Sequence, residues 1–434
     1  MGAENVYDFS LGNPTVPAPD CVDETIRQLT EELDCIKLHG YTSAQGDVET
    51  RTAIAEFLNQ THGTNFEAND FYITMGAAAS LSIAFHALTT SDEDEYITIA
   101  PFFPEYKVFV EATGASLKVV PADTENFQIQ FDALEEMINV HTKGIIINSP
   151  NNPSGAVYSR ETIEKLADLL GRKEAEYGHP IFIIADEPYR EIAYDGVEVP
   201  FVTKYYANTL VCYSYSKSLS LPGERIGYIL VPQEAFDSKA LYAAVAGAGR
   251  SLGYVCAPSM MQKVITLCQG QTGDVELYKK NRDLLYDGLT KIGYKCFKPQ
   301  GAFYMFVKAL EDDAESFCER AKQQDLLIVA GDGFGCPGYV RISYCVDEDM
   351  IKRSFTVHLK RRVSERKSKV LTKKKTPLWL KMFTRMRQTF QVVKSRSFCL
   401  QRPFTKMLPY LFLMSLLPLL TLSQKMNCIS NTMS

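Results

Sequence analysis

The sequence predicts an α/β fold with a mostly parallel sheet, and three observations carry that prediction. Short β-prone runs near positions 71, 95, 118, 145, 181 and 210 alternate with helical stretches. The run 181–184 is apolar throughout, as expected of a parallel strand that is covered on both faces. Polar residues follow the ends of successive runs, which is the arrangement that a ligand crevice in an open α/β sheet requires.

Composition narrows the class of protein. A chain of 434 residues with 46% hydrophobic and 23% charged residues is typical of a globular protein of two or three domains. The 11 cysteines form no C-x-x-C pair and the 6 histidines are dispersed, which predicts reduced thiols and no metal site. The N-terminus has no apolar signal core, so we expect a cytoplasmic protein.

The net charge of −6 combines an acidic body with a basic tail. Residues 355–434 are rich in lysine and arginine and contain one acidic residue, Glu365. The acidic body argues against nucleic-acid binding by the folded part.

The first 89 residues supply three candidate site segments. Residues 8–15 predict a short strand that runs into a turn at Gly12. A polar loop, 39–46, then precedes a helix at 47–62. The strand that begins at position 71 leads through a glycine turn into a helix at 77–89. The N–H groups at the start of that helix could hold a phosphate, and the candidates are Gly76, Ala77 and Ala78.

Two further strand ends carry candidate residues. The strand near 95 ends at a Pro-Phe-Phe-Pro turn that contains Phe103, which is either a core residue or a site aromatic. The strand near 145 breaks into Asn-Asn-Pro-Ser-Gly, which contains Asn152. Ser159 is then predicted to cap a helix at 160–177.

Asp186 follows the apolar run 181–184 and lies where the predicted strand ends. A carboxylate at that position is costly unless a cation meets it. That cation is either the partner of a structural salt bridge or a group on a ligand, such as a protonated pyridine nitrogen.

Lys217 lies among four serines, shortly after the β-prone run 209–215. A lysine amine is a nucleophile when desolvation or a nearby cation lowers its pKa, and Arg225 could supply the cation. Ser214, Ser216 and Arg225 together suit a phosphate dianion. Lysine and a phosphate clamp predict pyridoxal 5′-phosphate (PLP), an aldehyde cofactor that carries a phosphate. The alternative is a surface lysine in a serine-rich turn.

After about position 258 the sequence predicts helix at 259–291, a β pair at 294–298 and 303–308, and an α/β unit at 314–345. The G-x-G-x-x-G pattern that begins at Gly333 contains proline and leads into a strand, so we interpret it as a loop and not as a dinucleotide site. Arg341 lies in that alternating strand and could bind a carboxylate bidentately or form an internal salt bridge.

These motifs resemble those of the class I and II aminotransferases, which are fold-type I PLP-dependent enzymes of the aspartate aminotransferase superfamily. The motif Ser-x-(Ser/Ala)-Lys-x5-Gly-x-Arg-x-Gly is matched here by Ser214, Ser216, Lys217, Gly223, Arg225 and Gly227. The resemblance spans about residues 8–354. It implies a large domain with a mostly parallel seven-stranded sheet flanked by helices, and a smaller α/β domain. The predicted divisions are an N-terminal arm and small-domain segment at 1–38, the large PLP-binding domain at 39–258 and the small domain at 259–354.

The resemblance also implies a set of cofactor-binding residues. They are Tyr41, Gly76, Ala77, Ala78, Phe103, Asn152, Asp186, Tyr189, Ser214, Ser216, Lys217 and Arg225. Lys217 would form the Schiff base, and Asp186 would keep the ring nitrogen protonated. Phe103 would stack on the ring, while Tyr189 would donate to O3′. Tyr41 would reach the cofactor phosphate of the other subunit of a homodimer.

The implied activity is transfer of an amino group from an α-amino acid to a 2-oxo acid by a ping-pong mechanism. Gly12, Asn152 and Arg341 are the implied substrate-binding residues, with Arg341 on the α-carboxylate. Two alternatives share the same residues: a carbon–sulfur β-lyase, and the effector domain of a PLP-binding transcription regulator. The regulators carry a winged helix-turn-helix ahead of this fold, and too few residues precede Asp8 for one. The donor and the acceptor are not specified by the sequence.

The resemblance stops near position 355. Residues 360–406 are rich in lysine and arginine, and 407–424 are uncharged. This tail would contact a membrane if the uncharged stretch is genuine, or it could be a disordered appendage. We favour a third interpretation, out-of-frame or mis-joined coding sequence, because the composition changes abruptly within a predicted helix.

Overall fold

The computed structural model describes residues 6–355. Its strands are β1 (Tyr7–Asp8), β2 (Phe71–Thr74), β3 (Glu95–Ile99), β4 (Ser116–Val120), β5 (Thr142–Asn148), β6 (Phe182–Asp186), β7 (Thr209–Ser214), β8 (Gly227–Leu230), β9 (Tyr304–Lys308), β10 (Leu326–Leu327), β11 (Val329–Ala330) and β12 (Tyr339–Ser343). Its α-helices are α1 (Asp20–Glu32), α2 (Cys35–His39), α3 (Val48–His62), α4 (Ala77–Leu88), α5 (Glu105–Glu111), α6 (Phe131–Met137), α7 (Arg160–Tyr177), α8 (Tyr215–Ser218), α9 (Ser238–Ser251), α10 (Ser259–Leu267), α11 (Val275–Lys291), α12 (Ala314–Lys322) and α13 (Glu348–Ser354).

A seven-stranded sheet with the order β2-β8-β7-β6-β5-β3-β4 forms the centre of the larger part. Its strands are parallel except β8, which pairs antiparallel with both β2 and β7. This confirms the predicted α/β fold with a mostly parallel sheet. The strand β8 lies outside the β-prone runs predicted from the sequence. In the parallel part, Asn148 pairs with Asp186, and Asp186 pairs with Cys212. The ends of β5, β6 and β7 therefore meet at one edge.

Helices cover both faces of this sheet. Every residue of β6 is buried, as predicted for the apolar run at 181–184. Alternate residues of β6 point to opposite faces, so Ile183 and Ile184 belong to different apolar clusters. Ser159 accepts a hydrogen bond from the backbone N–H of Thr162 and caps α7, as predicted.

The smaller part contains the antiparallel sheet β11-β12-β9, with α11, α12 and α13 around it. One prediction for this part was wrong. Residues 294–298 form no strand, and only Cys296 makes an isolated bridge, to Val307. The predicted helical stretch 259–291 is divided into α10, which ends at Leu267, and α11, and Gly270 between them adopts a φ of +75° that a continuous helix would not contain. Residues 333–338 begin within a 3-10 turn, Gly331–Phe334, and lead into β12, as predicted.

The N-terminal segment contacts both parts. The strand β1 is shorter than predicted and pairs with β10. In contrast, Val22, Leu29 and Leu38 of α1 and α2 share an apolar cluster with Met261 of α10 and with the large sheet. The exact domain divisions at 1–38, 39–258 and 259–354 stay predictions. The predicted tail, 355–434, lies outside the described residues apart from Phe355.

Candidate active site

A cavity of about 330 Å³ lies at the edge where β5, β6 and β7 end. Its lining residues are Gly12, Ala77, Ala78, Leu81, Phe103, Asn148, Asn152, Asp186, Pro188, Tyr189, Ser214, Ser216, Lys217, Pro222, Arg225, Tyr304 and Arg341. The carboxyl ends of parallel strands are the usual position for a ligand in an open α/β sheet. The cavity brings together every predicted site residue except Gly76 and Tyr41.

Lys217 extends from α8, a single turn that follows β7 directly. Its Nζ donates to the carbonyl oxygen of Gly12 at 2.7 Å and lies 5.2 Å from the centre of the Phe303 ring. Burial lowers the pKa of Lys217 to about 8, and the nearby Arg225 and Arg341 contribute in the same direction. At pH 7 about a tenth of this amine is therefore uncharged, far more than for a lysine with an ordinary pKa.

Asp186 is the last residue of β6 and is buried. Its Oδ2 accepts a 2.5 Å hydrogen bond from the Tyr106 hydroxyl, while Oδ1 has no partner within residues 6–355. Burial raises the pKa of Asp186 to about 7, although the Tyr106 hydrogen bond acts in the opposite direction. A buried carboxylate oxygen without a partner is costly, so this site favours a ligand that brings a donor or a cation.

Tyr189 follows β6 in a buried turn, and its hydroxyl lies 3.0 Å from the hydroxyl of Tyr304. Burial raises the pKa of Tyr189 well above the usual value, and it raises that of Tyr304 to about 12. Both hydroxyls are therefore protonated at physiological pH and can donate hydrogen bonds.

Arg341 reaches the cavity from the middle of β12. Its Nη1 donates to Oδ1 of Asn152 at 3.0 Å, and its Nη2 donates to the carbonyl oxygen of Ser10 at 2.8 Å. Its Nε is buried and has no acceptor in the part of the chain that the structure describes. The guanidinium lies 4.7 Å from the centre of the Tyr304 ring. These contacts hold a planar group that suits a carboxylate.

The opposite end of the cavity has the properties of an anion site. The hydroxyl oxygens of Ser214 and Ser216 are 2.8 Å apart, and Ala77 and Ala78 begin α4. Gly76 does not line the cavity. It adopts a φ of +84°, and a Cβ added there would lie 2.8 Å from a guanidinium nitrogen of Arg225. Because Gly76 has no side chain, the Arg225 guanidinium can occupy the space beside it.

Two predicted aromatic residues have different surroundings. Phe103 lines the cavity, and its ring meets that of Tyr106 edge to face at a centroid distance of 5.7 Å. Tyr41 lies outside the cavity with its side chain 91% exposed. Because the structure contains one chain, the contact predicted between Tyr41 and another subunit stays a prediction.

Three polar residues at the site have no role predicted from the sequence. Asn148 donates to the carbonyl oxygen of Asp186 at 2.7 Å and accepts from the backbone N–H of Asn152 at 2.7 Å. Tyr106 holds Asp186, and Tyr304 contacts Tyr189. Asn148 ends a buried strand, which is a signal for a site residue. The other two are tyrosines within aromatic segments, and nothing in those segments distinguishes them from core residues.

The cavity therefore combines an amine nucleophile, a buried carboxylate and two guanidinium groups. An anion can bind near Arg225 and a carboxylate near Arg341, with the Lys217 amine and the Asp186 carboxylate lining the same space. Among the residues that the structure describes, no group of three or more His, Cys, Asp or Glu side chains could hold a metal ion.

Known proteins resemble this chain over most of its length. The sequence pattern of the family described as aminotransferase class I and II matches residues 4–356. A solved structure described as an amino transferase from Eubacterium rectale is 71% identical and has a TM-score of 0.82, covering 84% of this chain and 91% of that one. A probable aspartate/prephenate aminotransferase from Aquifex aeolicus is 30% identical over 80% of this chain and 88% of its own length. Aromatic-amino-acid aminotransferase 2 from Thermococcus litoralis is 27% identical over 86% and 94%.

The family match covers the strands and loops that build the cavity, from Gly12 to Arg341. It agrees with the implied fold and with the implied activity. The chain belongs to the class I and II aminotransferases.

Proposed function

We propose that this aminotransferase uses PLP bound at Lys217 to move an amino group from an α-amino acid to a 2-oxo acid in a ping-pong sequence. The observation that carries the proposal is the shared cavity: the Lys217 amine, with its lowered pKa, and Asp186, whose Oδ1 has no partner among residues 6–355, line the same space as Arg341. When bound, PLP would supply an electron-accepting ring that makes the α-proton of the amino acid acidic.

The residues present fit this cofactor. Oδ1 of Asp186 is buried and lacks a donor among the described residues, and a protonated ring nitrogen would be that donor. That interaction would keep Asp186 ionised, which offsets the rise in its pKa caused by burial. Tyr189 would donate to the ring hydroxyl oxygen, and Phe103 would lie against the ring face.

The phosphate end would be held by groups of several kinds. The Ser214 and Ser216 hydroxyls and the Arg225 guanidinium would donate to its oxygens. The N–H groups of Ala77 and Ala78 at the start of α4 would add the positive end of a helix of 12 residues.

Lys217 has two proposed tasks. Its uncharged amine would join the cofactor aldehyde, since burial and neighbouring guanidinium groups lower its pKa to about 8. Once an amino acid has displaced it, Nζ would take the α-proton and deliver it to the carbon of the former cofactor aldehyde, and it would carry a proton in the opposite direction in the second half-reaction. The carbonyl oxygen of Gly12, which accepts from Nζ at 2.7 Å, would position the amine between these steps.

Arg341 and Asn152 would bind the α-carboxylate of the substrate and orient its α-carbon toward Lys217. Nε of Arg341, which lacks a partner in the described chain, is available for one carboxylate oxygen. The backbone at Gly12 would line the substrate pocket. The names of the relatives make aspartate and the aromatic amino acids the first donors to examine.

We also propose that the enzyme is a cytoplasmic homodimer in which Tyr41 reaches the neighbouring site. The exposure of Tyr41 supports this, as does that of nearby Ile36, whose side chain is 83% exposed. Mixing a Lys217→Ala variant with a Tyr41→Ala variant tests it, because a hybrid dimer has one site with both native residues. Activity of the mixture above the mean of the two variants would support the shared site, and a strictly averaged activity would contradict it.

The visible spectrum of the purified protein tests the cofactor proposal. Loading with PLP should give an absorption band in wild type that a suitable donor bleaches, and borohydride added before any donor should fix the cofactor to the chain. The Lys217→Ala variant should lose the borohydride labelling and keep the fold. Equal labelling of the Lys217→Ala variant would refute the assignment.

A further inference from the structure

Tyr304 lies between Tyr189, which is proposed to bind the cofactor, and Arg341, which is proposed to bind the substrate. None of the predicted roles involves Tyr304. It begins β9 and pairs with Ser343, two residues beyond Arg341 in β12. Tyr304 and Arg341 therefore lie on the same face of the sheet as diagonal neighbours, within reach of long side chains. The Tyr304 side chain is buried, with 3% of it exposed.

The ring and the hydroxyl of Tyr304 contact different partners. The ring lies under the Arg341 guanidinium, with 4.7 Å between the guanidinium carbon and the ring centre. Such a contact both attracts the cation and fixes the plane of the guanidinium. The hydroxyl lies 3.0 Å from the Tyr189 hydroxyl, which is the group proposed to reach the cofactor.

The hydroxyl also touches the segment that crosses the site. A Cβ on Gly12 would overlap the Tyr304 hydroxyl, so the backbone at Gly12 packs directly on that oxygen. The carbonyl oxygen of Gly12 accepts from Lys217 Nζ, and that of Ser10 accepts from Arg341 Nη2. Tyr304 thus contacts the backbone that links the amine to the guanidinium.

We propose that Tyr304 is a positioning residue with two separable tasks: its hydroxyl orients the Tyr189 hydroxyl toward the cofactor, and its ring orients Arg341 toward the substrate carboxylate. This rests on the function proposed above. With Tyr304 as the donor, Tyr189 keeps its own proton for the cofactor, and a chain of two hydroxyls is stronger than either bond alone.

Two substitutions separate the tasks. Tyr304→Phe removes the hydroxyl and keeps the ring, so PLP affinity of the cofactor-free protein should fall by about two- to tenfold, the usual effect of one hydrogen bond. Its affinity for an unreactive carboxylate should stay within about twofold of wild type. Tyr304→Leu removes the ring, so carboxylate affinity should fall by about three- to thirtyfold.

The measurements are equilibrium dialysis with PLP, and calorimetric titration of the loaded enzyme with succinate and with 3-phenylpropionate, using whichever binds wild type more tightly. The pH at which the visible band changes should shift in Tyr304→Phe as well, since the cofactor loses a preorganised donor. Tyr344→Phe is the matched control, because that buried hydroxyl donates to the Ala302 carbonyl at 3.1 Å and does not line the cavity.

Three results would overturn the proposal. The first is that Tyr304→Phe has the same PLP affinity and the same spectrum as the Tyr344→Phe control. The others are that Tyr304→Phe and Tyr304→Leu have equal affinities for the carboxylate, or that wild type binds no carboxylate. If Tyr304→Leu does not fold, Tyr304→Met replaces it under the same criteria. Failure of wild type to bind PLP or to respond to any amino acid would instead refute the proposed function, so the two failures are distinguishable.

Discussion

The Tyr106 hydroxyl donates a 2.5 Å hydrogen bond to Oδ2 of Asp186, which leaves Oδ1 as the oxygen without a partner in the described structure. Tyr106 lies in α5 and Asp186 ends β6, so the contact joins a helix to the sheet edge. Because Tyr106 occupies one oxygen, the other is directed to a ligand. The buried carboxylate is thus oriented before any ligand arrives.

Tyr106→Phe should weaken PLP binding because Asp186 loses the hydrogen bond that favours its charged form. A hydrogen bond to a charged group contributes about 1.5–3 kcal/mol, which corresponds to an increase in the PLP dissociation constant of about 10- to 100-fold. Equilibrium dialysis measures this change. Tyr96→Phe is the control, since it removes another buried hydroxyl, one that lies 3.0 Å from Thr89 Oγ1. An equal effect in both variants would show a general loss of stability.

Lys217→Met should make the cofactor-free protein more stable at pH 7. The pKa of Lys217 is about 8 in the folded protein and 10.5 in the reference state. Between these values the unfolded chain binds more protons, so the free energy of unfolding of wild type rises with pH in that window. Below this pH window, the buried charge lowers the free energy of unfolding by about 1–3 kcal/mol, and the substitution by methionine removes this penalty.

The measurement for Lys217→Met is urea unfolding at pH 7 and at pH values above 10. The stability difference between variant and wild type should shrink as the pH rises through this window. Lys308→Met, at an exposed position, is the control for loss of a lysine in general. A difference for Lys217→Met that is independent of pH would contradict the lowered pKa.

Arg341→Lys should raise the KM for the amino donor more than it lowers kcat. Lysine keeps a positive charge, but it lacks the planar fork that Asn152 and Ser10 hold in place. Loss of one charged hydrogen bond corresponds to about a 10- to 100-fold increase in KM. Steady-state kinetics with a donor that bleaches the wild-type band measures it, and Arg160→Lys at an exposed ion pair is the control. An unchanged KM would exclude Arg341 from carboxylate binding.

The sequence predicted the central sheet because its strands are strongly patterned. The residues before Asp186 are apolar without interruption, as in a strand that is buried on both faces. Polar motifs follow the strand ends, so the pattern assigns Asp186 and Lys217 to the same site. Strand β8 was missed because its residues follow the lysine motif without a break, and it pairs antiparallel between β2 and β7. Strand pairing between distant segments leaves no local pattern.

Residues that act through geometry could not be predicted in the same way. Tyr106 and Tyr304 look like core aromatics in the sequence, and both are in fact buried. Their importance depends on hydroxyl contacts with Asp186 and Tyr189, which lie 80 and 115 positions away in the chain. Similarly, the assignment of Gly76 to phosphate binding stays a prediction, and its steric relationship with Arg225 is visible only in the structure.

Gly76→Ala should weaken phosphate and PLP binding by displacing Arg225. A Cβ at this position would lie 2.8 Å from a guanidinium nitrogen, and that flexible end of Arg225 moves more easily than the backbone. The φ of +84° at Gly76 adds a backbone cost of about 1–3 kcal/mol. Gly63→Ala is the control for a glycine with positive φ, because Gly63 has a φ of +66° with a ψ of +40° and nothing within 4 Å of the added Cβ. Both variants should lose stability in urea, while only Gly76→Ala should lose affinity for PLP in dialysis, by about tenfold for one charged hydrogen bond. Equal PLP affinities in the two variants would show that Arg225 does not hold the phosphate.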